Sequence, residues 1–453
     1  MHHHSNKSTA LLSLLIIATL FFIFGFITWL NGALIPFLQI VCELTPTESL
    51  VVAFSFYIAY VVMALPMAKV IERFGLKNAM CIGLTMIAAG ALLFVPAALS
   101  RQFALFLCAQ FVLGAGLTIL QTAANPYLVV MGDQKTAAVR ISIMGVLNKS
   151  AGVLAPIAFT SLVLSDFADV SVKSIELLSV TDKNNLMSDL SASLIMPYCC
   201  MALVLLVMAL LLKFSPLPDI DMHNENAQDK AQQSVSLRGL LHFPHLIFGV
   251  IALFLYVGAE VIAGDTIGLV GSKLGLANAT SLTSFTMAFM VAGYLCGLVL
   301  IPRLLSQEKA LASSAVIGMI VTIFILCIPS DSFLLSHSVL EFVSNKNIPD
   351  IIYLIAFLGF ANAIVWPAIW PMALKGLGAY TAKGSAVLIM AIAGGAIMPL
   401  VYGGLSSVSS IFTAYAILLP CYLFILFYAI KGHKVARQPS ANKPLSTQEF
   451  AND

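Results

Sequence analysis

The sequence is divided into long, continuous apolar runs of membrane-spanning length with almost no formal charge inside them, and this constrains the fold more than any other feature. A hydrocarbon layer of about 30 Å requires about 20 residues of helix. Backbone groups in that layer find no water, so each run must satisfy its own hydrogen bonds as a helix. Barrel strands would alternate in polarity over about 10 residues, and these runs do not alternate. The runs are 11–37, 50–69, 79–99, 103–130, 141–165 and 191–213, then 246–270, 283–304, 309–329, 350–374, 384–405 and 410–431. They predict an all-α integral membrane protein with twelve transmembrane helices.

Composition supports this reading. Charged residues make up 10% of the 453 residues and hydrophobic residues 60%, whereas soluble domains carry about 25% charged residues. A net charge of +2 offers no basic surface for nucleic acid. The first five residues, with His2, His3 and His4, read as a tag remnant and are set aside. The first apolar run is too long for a signal peptide and has no small-residue cleavage pattern near Pro36. The eight cysteines lie mostly inside apolar runs without a CxxC pair, which suits small buried hydrophobes better than disulfides or a metal site.

Twelve spans place both termini on one side, and the basic residues indicate the cytoplasmic side. With that assignment, seventeen of the 23 lysines and arginines fall in cytoplasmic segments. Only Arg101, Lys173, Lys183, Lys273 and Lys346 fall outside, and Lys149 lies in a span. The expected division is a cytoplasmic N-terminus over 1–10, a six-helix bundle over 11–213, a cytoplasmic linker over 214–244, a second six-helix bundle over 245–431 and a cytoplasmic tail over 432–453. The halves carry a shared signature. Pro126 is followed ten residues later by Thr136 and Ala137, and Pro371 by Thr381 and Ala382, an offset of 245 in each case. Such repetition fits two bundles related by an axis along the membrane normal.

Polar groups at membrane depth are costly and tend to face a cavity or a partner. Three formal charges lie inside the spans: Lys149, Glu260 and Asp265. Glu260, flanked by Gly258, Ala259 and Gly264, is the expected cavity carboxylate for a sugar hydroxyl, a proton or a cation; a structural pair with Lys149 is the alternative. Lys149 either snorkels to the cytoplasm or pairs with Glu260 in one conformation, although counting along the helices separates them by roughly 10 Å in depth. Asp265 is expected to cap or solvate the outer end of its helix. Asn31, Gln121, Asn125, Asn148 and Asn362 offer donors and acceptors together, as a sugar hydroxyl does. Trp366 and Trp370 offer faces to a pyranose. Each amide has an interhelical hydrogen bond as its plain alternative; the set, spread over five spans, predicts a lined cavity. No histidine lies within the runs, no GxxxxGK[ST] loop is present, and no HExxH or GxSxG occurs. These absences argue against a histidine relay, ATP hydrolysis and an intramembrane hydrolase, and no cofactor is expected.

With these residues in hand, the chain resembles the fucose–galactose–glucose:proton symporter family of the major facilitator superfamily. The matching stretches are 24–38 (FGFITWLNGALIPFL), 120–132 (LQTAANPYLVVMG), Arg140 to Pro156 with Asn148, 256–261 (YVGAEV) and 375–399, and 69–78 is similar to the superfamily's basic loop. The resemblance implies two six-helix bundles, a central sugar site, alternating access by rocking, and hexose substrates.

The chain departs from the family pattern at its proton-handling positions. Gly32 stands where fucose-type members carry aspartate, and Gln121 where they carry glutamate. Gly145 replaces a glutamine, while Glu260 stands where they carry glutamine. A glutamine does not titrate. The expectation is therefore sodium as coupling ion, held by neutral side-chain oxygens and helix-end carbonyls, with Gln121 and Asn125 as the candidates and Asn31 behind them; the family also resembles a sodium-dependent glucose transporter of kidney. Proton coupling through Glu260 is second and uniport third, and Lys149 is a further candidate for the ion-coupling set. The family's fucose and N-acetylglucosamine carriers, a transporter-like sugar sensor, a lipid-linked sugar transferase and a drug exporter are the competing readings. The expected partners are a small sugar and membrane lipid, with the chain acting as a monomer in a bacterial inner membrane.

Overall fold

The computed structural model describes residues 2–130, 137–164, 178–215, 217, 237–276, 278–301, 303–334 and 348–435. The acidic stretch 165–177, most of the linker, the tail from 436 and the side chain of Asn125 lie outside the described residues. Among the described residues, eleven helices are long and apolar enough to cross a membrane, and one shorter apolar helix joins them. In chain order they are α1 (Leu12–Val41), α2 (Pro46–Val62, the short one), α3 (Lys69–Ser100), α4 (Phe103–Ala124), α5 (Ile143–Val163), α6 (Val180–Phe214), α7 (Pro244–Lys273), α8 (Ala279–Leu300), α9 (Gln307–Cys327), α10 (Asp350–Leu374), α11 (Lys383–Val408) and α12 (Thr413–Lys434). The expected twelve spans are present.

Their starts and breaks have local causes. Thr45 caps α2 in a reciprocal box with Glu48, and Pro46 occupies the first turn, where its missing N–H costs nothing. Helix α10 is interrupted between Asn362 and Val365; Pro367 cannot donate to the carbonyl of Ala363, four residues before it. Helix α7 is interrupted at Thr266, between Asp265 and Ile267. There the Thr266 hydroxyl donates to the carbonyl of Ile262 (2.6 Å), a back-bond that bends helices.

Each half is held internally by glycines that let backbones touch. A Cβ at Gly114 of α4 would strike the carbonyl of Phe56 in α2, and one at Gly359 of α10 would strike that of Thr286 in α8. Gly114 and Gly359 are 245 positions apart, the offset seen in the sequence. Gly25 of α1 lies in the same way against Asn148 of α5, and Gly394 of α11 against Phe254 of α7. Small residues at such crossings are the usual device of membrane helices.

The halves meet along α5 with α8 and along α2 with α11. At the end carrying the α1–α2 turn the seam is closed by hydrogen bonds between halves. Thr47 donates to the carbonyl of Gly403 (3.0 Å), the Thr160 and Thr280 hydroxyls share a bond (2.8 Å), and Ser284 donates to the carbonyl of Val153 (2.7 Å). Gly32 of α1 lies so close to Thr283 of α8 that a Cβ would meet its hydroxyl.

Two sequence expectations change. None of the eight cysteines forms a disulfide, but only Cys421 is buried; Cys108, Cys200, Cys296 and Cys327 are exposed. In hydrocarbon an apolar thiol need not be hidden from its surroundings. His245 lies inside α7, in its first turn, where its Nε2 is 2.9 Å from the carbonyl oxygen of Lys375.

Candidate functional site

The centre of the seam holds an ion pair. Lys149 of α5 and Glu260 of α7 lie with Nζ 2.6 Å from Oε1, and the two residues are only 9% and 7% exposed. The indole of Trp29 in α1 covers the ammonium at 4.5 Å. The pair therefore ties the first half to the second, with a cation–π contact from a third helix. Counting from the run boundaries had placed the two residues roughly 10 Å apart in depth. The helix bearing Lys149 begins at Ala137, which puts Lys149 roughly 18 Å along it against roughly 24 Å for Glu260. The four-carbon stem of lysine spans the remainder.

Residues of the second half surround this pair. Trp29 packs in one apolar cluster with Met287, Met290 and Tyr294 of α8 and Ala363 of α10. The hydroxyls of Tyr256, Tyr294 and Tyr422 lie within electrostatic reach of Glu260. Asn362, at the break in α10, accepts a hydrogen bond from Tyr422 (3.0 Å), while its Nδ2 has no partner. The break in α10 and the glycines around Glu260 thus place an amide, a carboxylate, an ammonium, tyrosine hydroxyls and an indole in one neighbourhood. Chemically this set can donate to and accept from several hydroxyls while offering an aromatic face.

The remaining predicted residues are distributed otherwise. Asn31, 1% exposed, accepts from Gln110 of α4 (2.8 Å), and its own Nδ2 is unpartnered. Gln121 accepts from the Tyr60 hydroxyl of α2 (3.1 Å). These two amides line the first half in separate pairs. Asn148 donates to the carbonyl of Phe21 in α1 (3.3 Å) and serves as an interhelical tie. Trp366 and Trp370 stack on each other with centroids 5.4 Å apart and are half-buried. Asn125 lies outside the described side chains.

Asp265 differs from its expected place at a solvated helix end. It is 0% exposed, and neither carboxylate oxygen has a partner. The reason is that α7 continues beyond it as Ile267–Lys273, roughly 12 Å farther. Sequence reasoning also missed Trp29, Gln110, Tyr60, Tyr294 and Tyr422. Gln110 carried a readable signal: it sits eleven residues before Gln121, about three turns, on the same face of α4.

The Major Facilitator Superfamily pattern matches residues 17–399. The chain is 33% identical over 433 residues to a protein of Brucella abortus biovar 1 (strain 9-941) named glucose/galactose transporter, covering 95% of both chains. It is 29% identical over 421 residues to the L-fucose-proton symporter of Escherichia coli (strain K12), covering 91% of each. Among solved structures it is similar to the crystal structure of FucP, a Major Facilitator Superfamily transporter in the outward conformation. The TM-score is 0.70 at 26% identity, over 93% of this chain and 98% of that one.

Proposed function

The chain belongs to the Major Facilitator Superfamily, and from that premise we propose that it imports a hexose such as glucose, galactose or mannose by cation-coupled symport with alternating access. The observation that carries this reading is the buried Lys149–Glu260 pair under Trp29, spanning the two halves. Hexose hydroxyls can accept from Lys149 and donate to Glu260, and the pyranose CH face suits an indole. A sugar that inserts between ammonium and carboxylate exchanges one set of charge-assisted hydrogen bonds for another, so its binding and the state of the seam are coupled. The names of the relatives, glucose/galactose transporter and L-fucose-proton symporter, support the same substrate class.

The basic ends of the helices face the cytoplasm of a bacterial inner membrane in this reading. The hydroxyl-bonded seam at Thr47, Thr160 and Ser284 is then the outer gate, shut in the state described. The coupling ion in this reading is a proton. The oxygens of Asn31 and Gln121, expected to cradle sodium with Asn125, each accept one hydrogen bond, from Gln110 and Tyr60, and keep a second lone pair; what supports the proton is the presence of two buried carboxyls, Glu260 and Asp265, on α7.

The test is uptake into proteoliposomes. Labelled glucose and galactose should accumulate when the outside is acidified, and unlabelled hexoses should compete in order of affinity. Accumulation driven by an inward sodium gradient at equal pH would replace the proton by sodium. No sugar-dependent flux under either gradient would remove the symport reading altogether.

A further inference from the structure

Helix α7 buries two carboxyls, Glu260 and Asp265; Glu260 is paired with Lys149, and Asp265 has no such ion pair among the described residues. Asp265 is fully buried with both oxygens unpartnered. It is the last residue of the first segment of α7, at the negative end of that segment's dipole. The formal charge that acts on it is the like charge of Glu260, five residues earlier on the same helix. From α2, in the other half of the molecule, Tyr57 lies within electrostatic reach of both carboxyls, with Tyr60 beside it. The Tyr57 ring packs where Gly395 of α11 and Val261 of α7 converge. The Thr266 hydroxyl is committed to the carbonyl of Ile262 and to Tyr415. No group near Asp265 supplies a positive charge among the described contacts, and an isolated ionised carboxylate in dry surroundings neutralises instead.

We propose that Asp265 is the carboxyl that carries the coupling proton, bound while the outer gate is open and held while it is shut. The assignment rests on the proton-symport reading above. It accounts for a chain in which Gly32 and Gln121 occupy the positions where fucose-type members carry acids. The cycle balances: one proton leaves outside water to form an O–H bond on Asp265, the gate closes over the neutral acid, and that bond breaks to cytoplasmic water after the sugar leaves. One positive charge therefore enters with each neutral hexose. Position fits the task, because Asp265 sits at the break in α7, one turn beyond Val261, which meets Tyr57 of α2 at Gly395 on the seam between halves. Rocking at that seam alternately wets and dries the carboxyl.

The experiment compares wild type, Asp265→Asn and Asp265→Glu in proteoliposomes with labelled galactose and glucose. Three signals are read: accumulation under an acid-outside gradient, sugar-induced alkalinisation of a weakly buffered exterior, and exchange of labelled for unlabelled sugar at equal pH. Asp265→Asn, which mimics the neutral acid, should lose accumulation and alkalinisation by at least tenfold while still exchanging sugar. Asp265→Glu should recover part of both proton signals. Proton-driven accumulation by Asp265→Asn at the wild-type level overturns the assignment. So does loss of exchange together with coupling in both variants, which would mark a structural role. Sodium-driven accumulation by wild type at equal pH, with no alkalinisation, refutes the proton on Asp265; absence of any gradient-driven accumulation in wild type refutes the symport reading on which it rests.

Discussion

Replacing Glu260 by glutamine should loosen the outer gate from its centre. The substitution keeps the shape of the side chain and removes the charge 2.6 Å from the Lys149 ammonium. Lys149 stays buried, keeping the neutral amide oxygen of the new glutamine as an acceptor and the Trp29 face at 4.5 Å, a contact worth about 2 kcal/mol when desolvated. Removing one partner of a buried pair costs about 3–5 kcal/mol, because the other charge is left uncompensated. The cost falls on the sealed state, in which Lys149 is dry; when the halves part, water reaches it. The balance between sealed and open forms should move by a factor between about 10² and several times 10³. Thr280→Cys, introduced in a background without the native cysteines, reports on this equilibrium through its labelling by a membrane-impermeant maleimide. Glu260→Gln should raise the labelling rate by about 10²-fold or more. The Lys149→Met, Glu260→Met double variant should return it towards the parent rate, since a buried pair exchanged for apolar groups is often neutral or better. A Glu260→Gln rate equal to that of the parent would refute the claim that this pair holds the gate.

Further outcomes follow from other contacts. Gly394→Ala should destabilise the protein by about 1–3 kcal/mol or more, seen as earlier thermal unfolding in detergent, because its methyl meets the Phe254 carbonyl, whereas Gly404→Ala, with open space around it, should be near neutral. Gly32→Asp restores the family's aspartate but drives a side chain into Thr283, so it should prop the outer gate open and raise maleimide labelling at Thr280→Cys. Gln121→Ala leaves the Tyr60 hydroxyl without its acceptor and should reduce hexose uptake at least tenfold while the protein stays monodisperse in detergent. Glu43 and Lys183 form an exposed ion pair whose hydrogen bond holds the Glu43 carboxyl below its ordinary range. Its stabilising contribution is present above the ordinary carboxylate value and lost as pH falls through the lowered one. A small stability deficit of Glu43→Gln at neutral pH should therefore vanish in strong acid.

The spans were legible because hydrocarbon imposes its own length scale on the sequence, and the six-plus-six division followed from the long polar connection and the repeated Pro and Thr-Ala positions. The chemistry at the centre was only half legible. Glu260 stood out as a charge among glycines, yet its partnership with Lys149 depended on where α5 begins, and an apolar run does not mark that. Asp265 was misplaced because nothing in the run 246–270 announces that α7 bends at Thr266 and continues. Asn148 and Gln121 could be recognised as costly amides, but whether an amide faces a cavity or ties two helices depends on the partner: Phe21 for one, Tyr60 for the other. Tyrosine hydroxyls such as Tyr422 escaped notice because an aromatic residue in an apolar run reads as ordinary packing.

The paired glycines at 114 and 359, with Gly25 and Gly394 beside them, divide the molecule mechanically. Where main chains touch without intervening side chains there is little to compress or re-pack, so in the proposed cycle each half is expected to behave as a stiff paddle. The hydroxyls and the Lys149–Glu260 ion pair between the paddles are, by contrast, contacts that water or a sugar can replace one for one. Substitutions along the seam should therefore retune affinity and rate without disturbing the paddles, whereas a single methyl at one of the four glycines should deform its own paddle and slow every cargo alike.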